Sequence, residues 1–225
     1  LERAMENKYD TALNMVIKQA LQRPVLINYS VEGKRYEKKL DEHDIELITE
    51  IEAGVIPYWY PILSMPEGEE SSRNDSIGIT HAHLYLTKRN RWVLSCCFTK
   101  VNECLNTRQR NALIYIFEQL ILGMSKLARY VPRHYSQVNQ FLSGTLYISS
   151  QIVEVSPWYI INKRKLNTVF KMFRAIEDNI SYISCSSADD TQLVHSSVDY
   201  IFSDPPFGGN VKYSELNFLW EAWLK

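Results

Sequence analysis

The chain has 225 residues, a formal net charge of −1 and 45% hydrophobic residues, enough for one large domain or two small ones around a real core. Near-neutral charge removes any global electrostatic case for nucleic acid, the apolar content excludes wholesale disorder, and no run of about 18 apolar residues marks a membrane span. The four cysteines, Cys96, Cys97, Cys104 and Cys185, show neither Cys-x-x-Cys nor zinc spacing, so they read as small buried hydrophobes in a reducing, cytoplasmic setting, and no signal peptide is visible.

Residues 2–21 are predicted to be a helix, with Met5, Tyr9, Ala12, Leu13, Val16 and Ala20 at helical spacing. Residues 25–30 and 34–38 read as a hairpin turning at Glu32-Gly33, and Asp41 caps a helix that Gly54 closes. These make a small α+β unit over 1–55. Pro57-Tyr58-Trp59-Tyr60-Pro61 is an aromatic loop that anchors on its own domain or, alternatively, stacks on a base. Residues 66–75 read as an acidic surface loop and the best place for disorder. His81 and His83 share a face only on a strand and lack a third ligand at a recognisable spacing, so no metal site is expected.

Thr87 caps a helix reaching about Cys104, with Lys88, Arg89 and Arg91 in its first turn. Cations there oppose the helix dipole, which points to phosphate contact unless the face is simply solvated. Thr107 is predicted to cap a long helix whose apolar stripe runs from Leu113 to Val131, ended by Pro132; residues 56–144 thus form a mainly helical accessory or insertion region. Residues 145–150, 152–155, 182–185 and 199–203 read as strands. A helix over 162–178 carries Leu166, Val169, Phe170 and Phe173 inward and a basic stripe of Arg164, Lys171 and Arg174. A last helix from Ser214 turns Leu216, Leu219, Trp220 and Trp223 inward.

The most informative stretch is Asp204-Pro205-Pro206-Phe207, directly after the predicted strand 199–203. Two prolines stop a sheet and hold Asp204 at the strand's carboxyl end, where open α/β sheets bind ligands. The Asp204 carboxylate and the Pro205 carbonyl can accept from the exocyclic amine of a planar base, and Phe207 can stack on its ring; the fixed φ of proline pre-aims the carbonyl. The tetrapeptide resembles the (D/N/S)PP(Y/F/W) motif of S-adenosylmethionine-dependent amino-methyltransferases acting on adenine N6 or cytosine N4. The residues from Gly208 to Leu224 resemble a large group of bacterial DNA methylases, as do the segments 57–61 and 80–90.

The resemblance implies an α/β fold in which residues 145–225 form the catalytic half of a Rossmann-like methyltransferase sheet. It implies DNA as partner, S-adenosylmethionine as methyl donor, and adenine N6 as the favoured acceptor, since Asp at the first and Phe at the fourth position are commoner there. Asp204, Pro205, Pro206 and Phe207 become the catalytic residues, and Asp189, in the polar segment 186–189, a cofactor-binding one. The family's Gly-rich cofactor turn is missing: none of the eight glycines forms a Gly-x-Gly pair. The chain is therefore read as a fragment, inactive alone. The alternatives are an RNA base amino-methyltransferase, since ribosomal RNA enzymes share the tetrapeptide, or a non-catalytic module that binds nucleic acid or a partner protein.

Overall fold

Turn chemistry decides the first twenty residues against the predicted helix. The computed structural model describes residues 3–131, 141–175, 182–187, 189–205, 208–209 and 211–224. In it β1 (Met5–Asp10) and β2 (Met15–Ala20) pair antiparallel, with Met5 opposite Ala20 and Asp10 opposite Met15. Asp10 Oδ1 accepts from the amides of Ala12 at 2.9 Å and Leu13 at 3.0 Å, and Asn14 takes a φ of 54°, a conformation asparagine tolerates. The second hairpin is as predicted: β3 (Leu26–Val31) and β4 (Lys34–Lys39) turn at Glu32 and Gly33, with φ of 50° and 79°. Two positive φ values in a two-residue loop match the right-handed twist of the flanking strands. Helix α1 (Glu42–Ala53) begins at Asp41, in a reciprocal capping box with Asp44, and stops at Gly54, as predicted.

Residues 66–75 are not a free surface loop. Glu70, Ser71 and Asn74 are buried, and short 3₁₀ turns follow at Ser72–Ile77 and Ala82–Tyr85. Gly78, at φ 74°, lies so close to β2 that a Cβ there would sit 2.1 Å from the Lys18 carbonyl oxygen, so only glycine lets the first hairpin dock. Helix α2 (Lys88–Asn102) is capped by Thr87, whose side chain accepts from the Asn90 amide. Helix α3 (Thr107–Gly123) is capped by Asn106 rather than Thr107 and ends well short of Val131. After it the Lys126 amide turns to the Tyr85 carbonyl at 2.7 Å. Then come α4 (Pro157–Ile160), α5 (Lys163–Ala175) and α6 (Tyr213–Leu224), the last two where helices were predicted.

The strands predicted over 145–155 do not form. Leu146 and Ile148 are buried and Tyr147 is exposed, so the alternation is real, but the ladder partner is a pair of side chains. The Leu146 amide donates to Glu70 Oε2 at 2.9 Å and the Ile148 amide to Asn74 Oδ1 at 3.3 Å, while Asn74 Nδ2 donates to the Leu146 carbonyl at 2.6 Å. One isolated bridge, Arg129 to Ile152, is strand-like there. Residues 182–185 and 199–203 form no strand either: Tyr182, Ile183, Tyr200, Ile201 and Phe202 stand in solvent. The protein is mixed α/β with two small antiparallel sheets, and the described residues form no Rossmann-like sheet.

The core lies where α2, α3 and α6 meet the second 3₁₀ turn, around Leu84, Tyr85, Leu94, Phe117, Leu120 and Trp223. Its aromatic centre joins Phe98, Phe117 and Trp223 with ring centroids 5.2–5.7 Å apart. Trp59 of the aromatic loop packs 5.4 Å from Phe98 and 6.0 Å from Trp223, so that loop is anchored on its own chain.

Candidate functional site

The motif residues stand apart from the core. Asp204 and Pro205 are exposed on an irregular stretch that follows the exposed Tyr200, Ile201 and Phe202; Pro206 and Phe207 lie outside the described residues. Asp204 therefore ends no strand among the described residues, unlike the expectation. Asp189 is exposed, and its carboxylate accepts from the Ser187 hydroxyl, the main reason its carboxyl titrates below the ordinary aspartate range. Among the described residues no hydrogen bond links Asp189 to Asp204 or Pro205. The basic stripe leaves Lys171 and Arg174 solvent-exposed on α5.

A built polar site lies elsewhere, at the first turn of α2. Asn90, buried on that turn, donates to the Met124 carbonyl at 2.8 Å and to the Val155 carbonyl at 3.2 Å, tying the helix start to the segment after α3 and to residues 153–155. Around it Arg89 forks onto Glu154 at 2.8 and 2.7 Å and reaches Glu52 at 3.1 Å. Lys8 of β1 pairs with Glu52 at 3.0 Å, and the Lys88 ammonium donates to the Glu52 carbonyl. Arg91 lies over the Tyr60 ring, 4.9 Å from its centroid, and its Nε is buried without a partner.

Beside Arg91, the buried His83 places Nε2 3.0 Å from Asp10 Oδ2. Burial lowers the His83 pKa more than Asp10 raises it. The Asp10 carboxyl is raised by burial, but bonds from His83 and from the Leu13 and Ala12 amides outweigh this and hold it well below the ordinary range. A carboxylate only accepts, so the neutral imidazole carries its proton on Nε2 and leaves Nδ1 buried and unpartnered. The pair fastens the first hairpin to the core. His81, with its ring centroid 5.8 Å away, bonds Thr80 instead, and no group of three metal-ligating side chains occurs among the described residues.

Lys126 is the residue the sequence hides. It falls inside the apolar stripe of a helix predicted to continue, and only Gly123 and Ser125, poor helix residues on either side of Met124, signal that the helix ends first. It is 9% exposed, and among the described residues no hydrogen bond or ion pair reaches Nζ. Burial, then the charges of Lys8 and Arg91, push its ammonium from an ordinary 10.5 to about 8, against the pull of Glu52 and Glu154. The folded protein thus holds this proton more weakly than the unfolded chain. The penalty is full below pH 8 and disappears as pH rises towards 10.5. Lys126→Met removes the charge and keeps the stem, so it is expected to stabilise the fold by about 1–3 kcal/mol at neutral pH, the upper end applying to an ammonium wholly shut off from water. Urea midpoints measured from neutral to alkaline pH check this; a difference that does not shrink with rising pH would show that the ammonium is hydrated.

No family model, curated protein or solved structure matches the chain. No described helix is long and apolar enough to cross a membrane.

Proposed function

We propose that this chain carries the base-gripping loop of a cytoplasmic, S-adenosylmethionine-dependent DNA amino-methyltransferase whose target is adenine N6. One observation carries the reading: the tetrapeptide Asp204-Pro205-Pro206-Phe207, continued by the methylase-like run from Gly208 to Leu224. The exposure of Asp204 and Pro205 suits a loop that must receive a ligand. In this reading residues 182–185 and 199–203, rich in aromatic and β-branched side chains, are strands of a Rossmann-like sheet whose neighbours the described residues do not supply.

An exocyclic amine is a poor nucleophile because its lone pair is delocalised into the ring. Hydrogen bonds from that amine to the Asp204 carboxylate and the Pro205 carbonyl favour a tetrahedral nitrogen and return the lone pair to it. A stacked aromatic at Phe207 fixes the ring, and a base inside a duplex must be flipped out to reach the loop. The residues of this chain do not fit the methionine end of the donor. No Gly-x-Gly turn exists, and α2 is entered through Leu86 and Thr87 rather than through glycines. The step argued here is confined to the acceptor base.

Methyl incorporation from labelled S-adenosylmethionine into duplex DNA by the intact gene product tests the reading. Asp204→Ala is expected to lower incorporation by about 100-fold or more with unchanged folding, because the side chain is exposed. Phe207→Tyr retains a stacking face and is expected to keep activity. Full activity in Asp204→Ala, or label in RNA but not DNA, would overturn the proposal.

A further inference from the structure

The second hairpin stands clear of the core. Of the twelve residues in β3 and β4, ten are exposed and two, Ile27 and Lys38, are half-buried. The first hairpin, by contrast, docks through Asp10 and beside Gly78. A lone two-stranded ribbon is marginal in water. This one is stiffened by its two-residue turn and by the cross-strand stack of Tyr29 on Tyr36, with ring centroids 5.5 Å apart.

Charge is spread unequally over the ribbon. β3 carries none, whereas β4 carries Lys34, Arg35, Lys38 and Lys39 against Glu37, and the turn adds Glu32. The hairpin is thus cationic in a chain whose formal net charge is −1. Lys38 is held by Asp41 and Asp44 at 2.9 and 2.7 Å. Among the described residues no ion pair reaches Lys34, Arg35 or Lys39, and Arg35 donates to the Tyr159 hydroxyl at 3.2 Å. Lysines that only keep an edge from pairing would be needed on both strands, since each is an edge, yet β3 has none.

Alternation puts Lys34 on the face of Tyr36, and Arg35 with Lys39 on the opposite face. A flat partner would meet one face and leave the cations of the other unused. A groove with a phosphate chain along each wall meets both. The major groove of B-form DNA, about 12 Å wide, admits a two-stranded ribbon, and six residues per strand reach about 20 Å along it.

We propose that β3 and β4 form an arm that enters the major groove of duplex DNA, with Lys34 facing the phosphates of one wall and Arg35 and Lys39 those of the other. The choice of DNA as partner rests on the methyl-transfer reading, although the arm contains none of residues 189–207.

The full chain, without S-adenosylmethionine, is titrated into a fluorescein-labelled DNA duplex of roughly 20 base pairs and followed by anisotropy between about 50 and 200 mM salt. The wild type is expected to bind, and Lys34→Gln, Arg35→Gln and Lys39→Gln together to weaken binding about tenfold or more and to lower the salt slope by about two to three. All three side chains are exposed, so the fold is expected to persist, and circular dichroism checks it. An RNA duplex of the same sequence has a major groove too deep and narrow for a ribbon and is expected to bind about tenfold more weakly. If the triple variant fails to fold, acetylation of the wild type replaces it. Duplex DNA is then expected to shield Lys34 and Lys39 well beyond Lys100, an exposed lysine of α2. A wild type that ignores duplex DNA, a triple variant that binds as the wild type does, RNA or single-stranded DNA bound as tightly, or equal acetylation of the three lysines would overturn the arm. Methyl transfer is not read in this experiment, so the arm can fail while methylation stands, and methylation can fail while the arm binds.

Discussion

Trp223→Ala is expected to cost about 3–5 kcal/mol of folding stability, because the indole is 2% exposed at the centre of the aromatic cluster. It meets Phe98 and Phe117 edge-on, with centroids at 5.7 and 5.6 Å, and Trp59 at 6.0 Å. Such contacts add to the loss of buried area, and a cavity of this size collapses only partly. Trp220, half-buried one turn earlier and donating from Nε1 to the Glu118 carbonyl at 3.1 Å, is expected to cost less, about 1–2 kcal/mol. Urea denaturation followed by circular dichroism measures both. A Trp223→Ala protein within about 0.5 kcal/mol of wild type would mean that α6 does not dock on α3 in solution.

Asn74→Ala is expected to cost a similar 3–5 kcal/mol, by another route. The Asn74 carboxamide accepts from the Ile148 amide at 3.3 Å and donates to the Leu146 carbonyl at 2.6 Å and the Tyr85 hydroxyl at 3.2 Å. Removing it leaves three polar groups without partners in an enclosed place, each worth about 1–3 kcal/mol. Its neighbour Glu70 completes the arrangement. Burial alone would raise that carboxyl, but bonds from Arg73, Thr145 and the Leu146 amide outweigh it and keep the group ionised. Hydrogen exchange at the Leu146 and Ile148 amides reports the loss directly. Protection as strong as in the wild type would show that water or a backbone partner substitutes for the carboxamide.

What could be read in advance follows from how local each signal is. The hairpin at Glu32-Gly33 and the helix from Asp41 to Gly54 are specified within a few residues of themselves, and both form. Residues 5–20 satisfy a helical spacing and a hairpin equally; Asp10 and Asn14, whose turn geometry competes with a helix, decide between them. The alternation around Leu146 and Ile148 correctly announced burial, but no local pattern says that the hydrogen-bond partners are side chains more than seventy residues away. Apolar content in 182–185 and 199–203 announced strands, yet a strand needs a neighbour, and none stands beside them among the described residues. The tetrapeptide at 204–207 was legible because it is contiguous. The polar site at the start of α2 was legible only in Lys88, Arg89 and Arg91, since Lys8 joins them through the fold alone.

The side-chain ladder that holds residues 146–148 also bears on how fast the chain can fold. Its bonds span 72 to 76 residues, the His83 to Asp10 bond 73, and the Trp220 to Glu118 bond 102. Closing loops of that length costs entropy before any contact returns it, and rates fall as contacts become less local. Helices α2 and α3 can flicker into place on their own in about a microsecond, but the buried carboxamide and carboxylate find their amides only once distant segments have met. Until then Glu70 and Asn74 sit hydrated, and shedding that water becomes part of the barrier. The chain is therefore expected to form its helices quickly and to reach its packed state slowly.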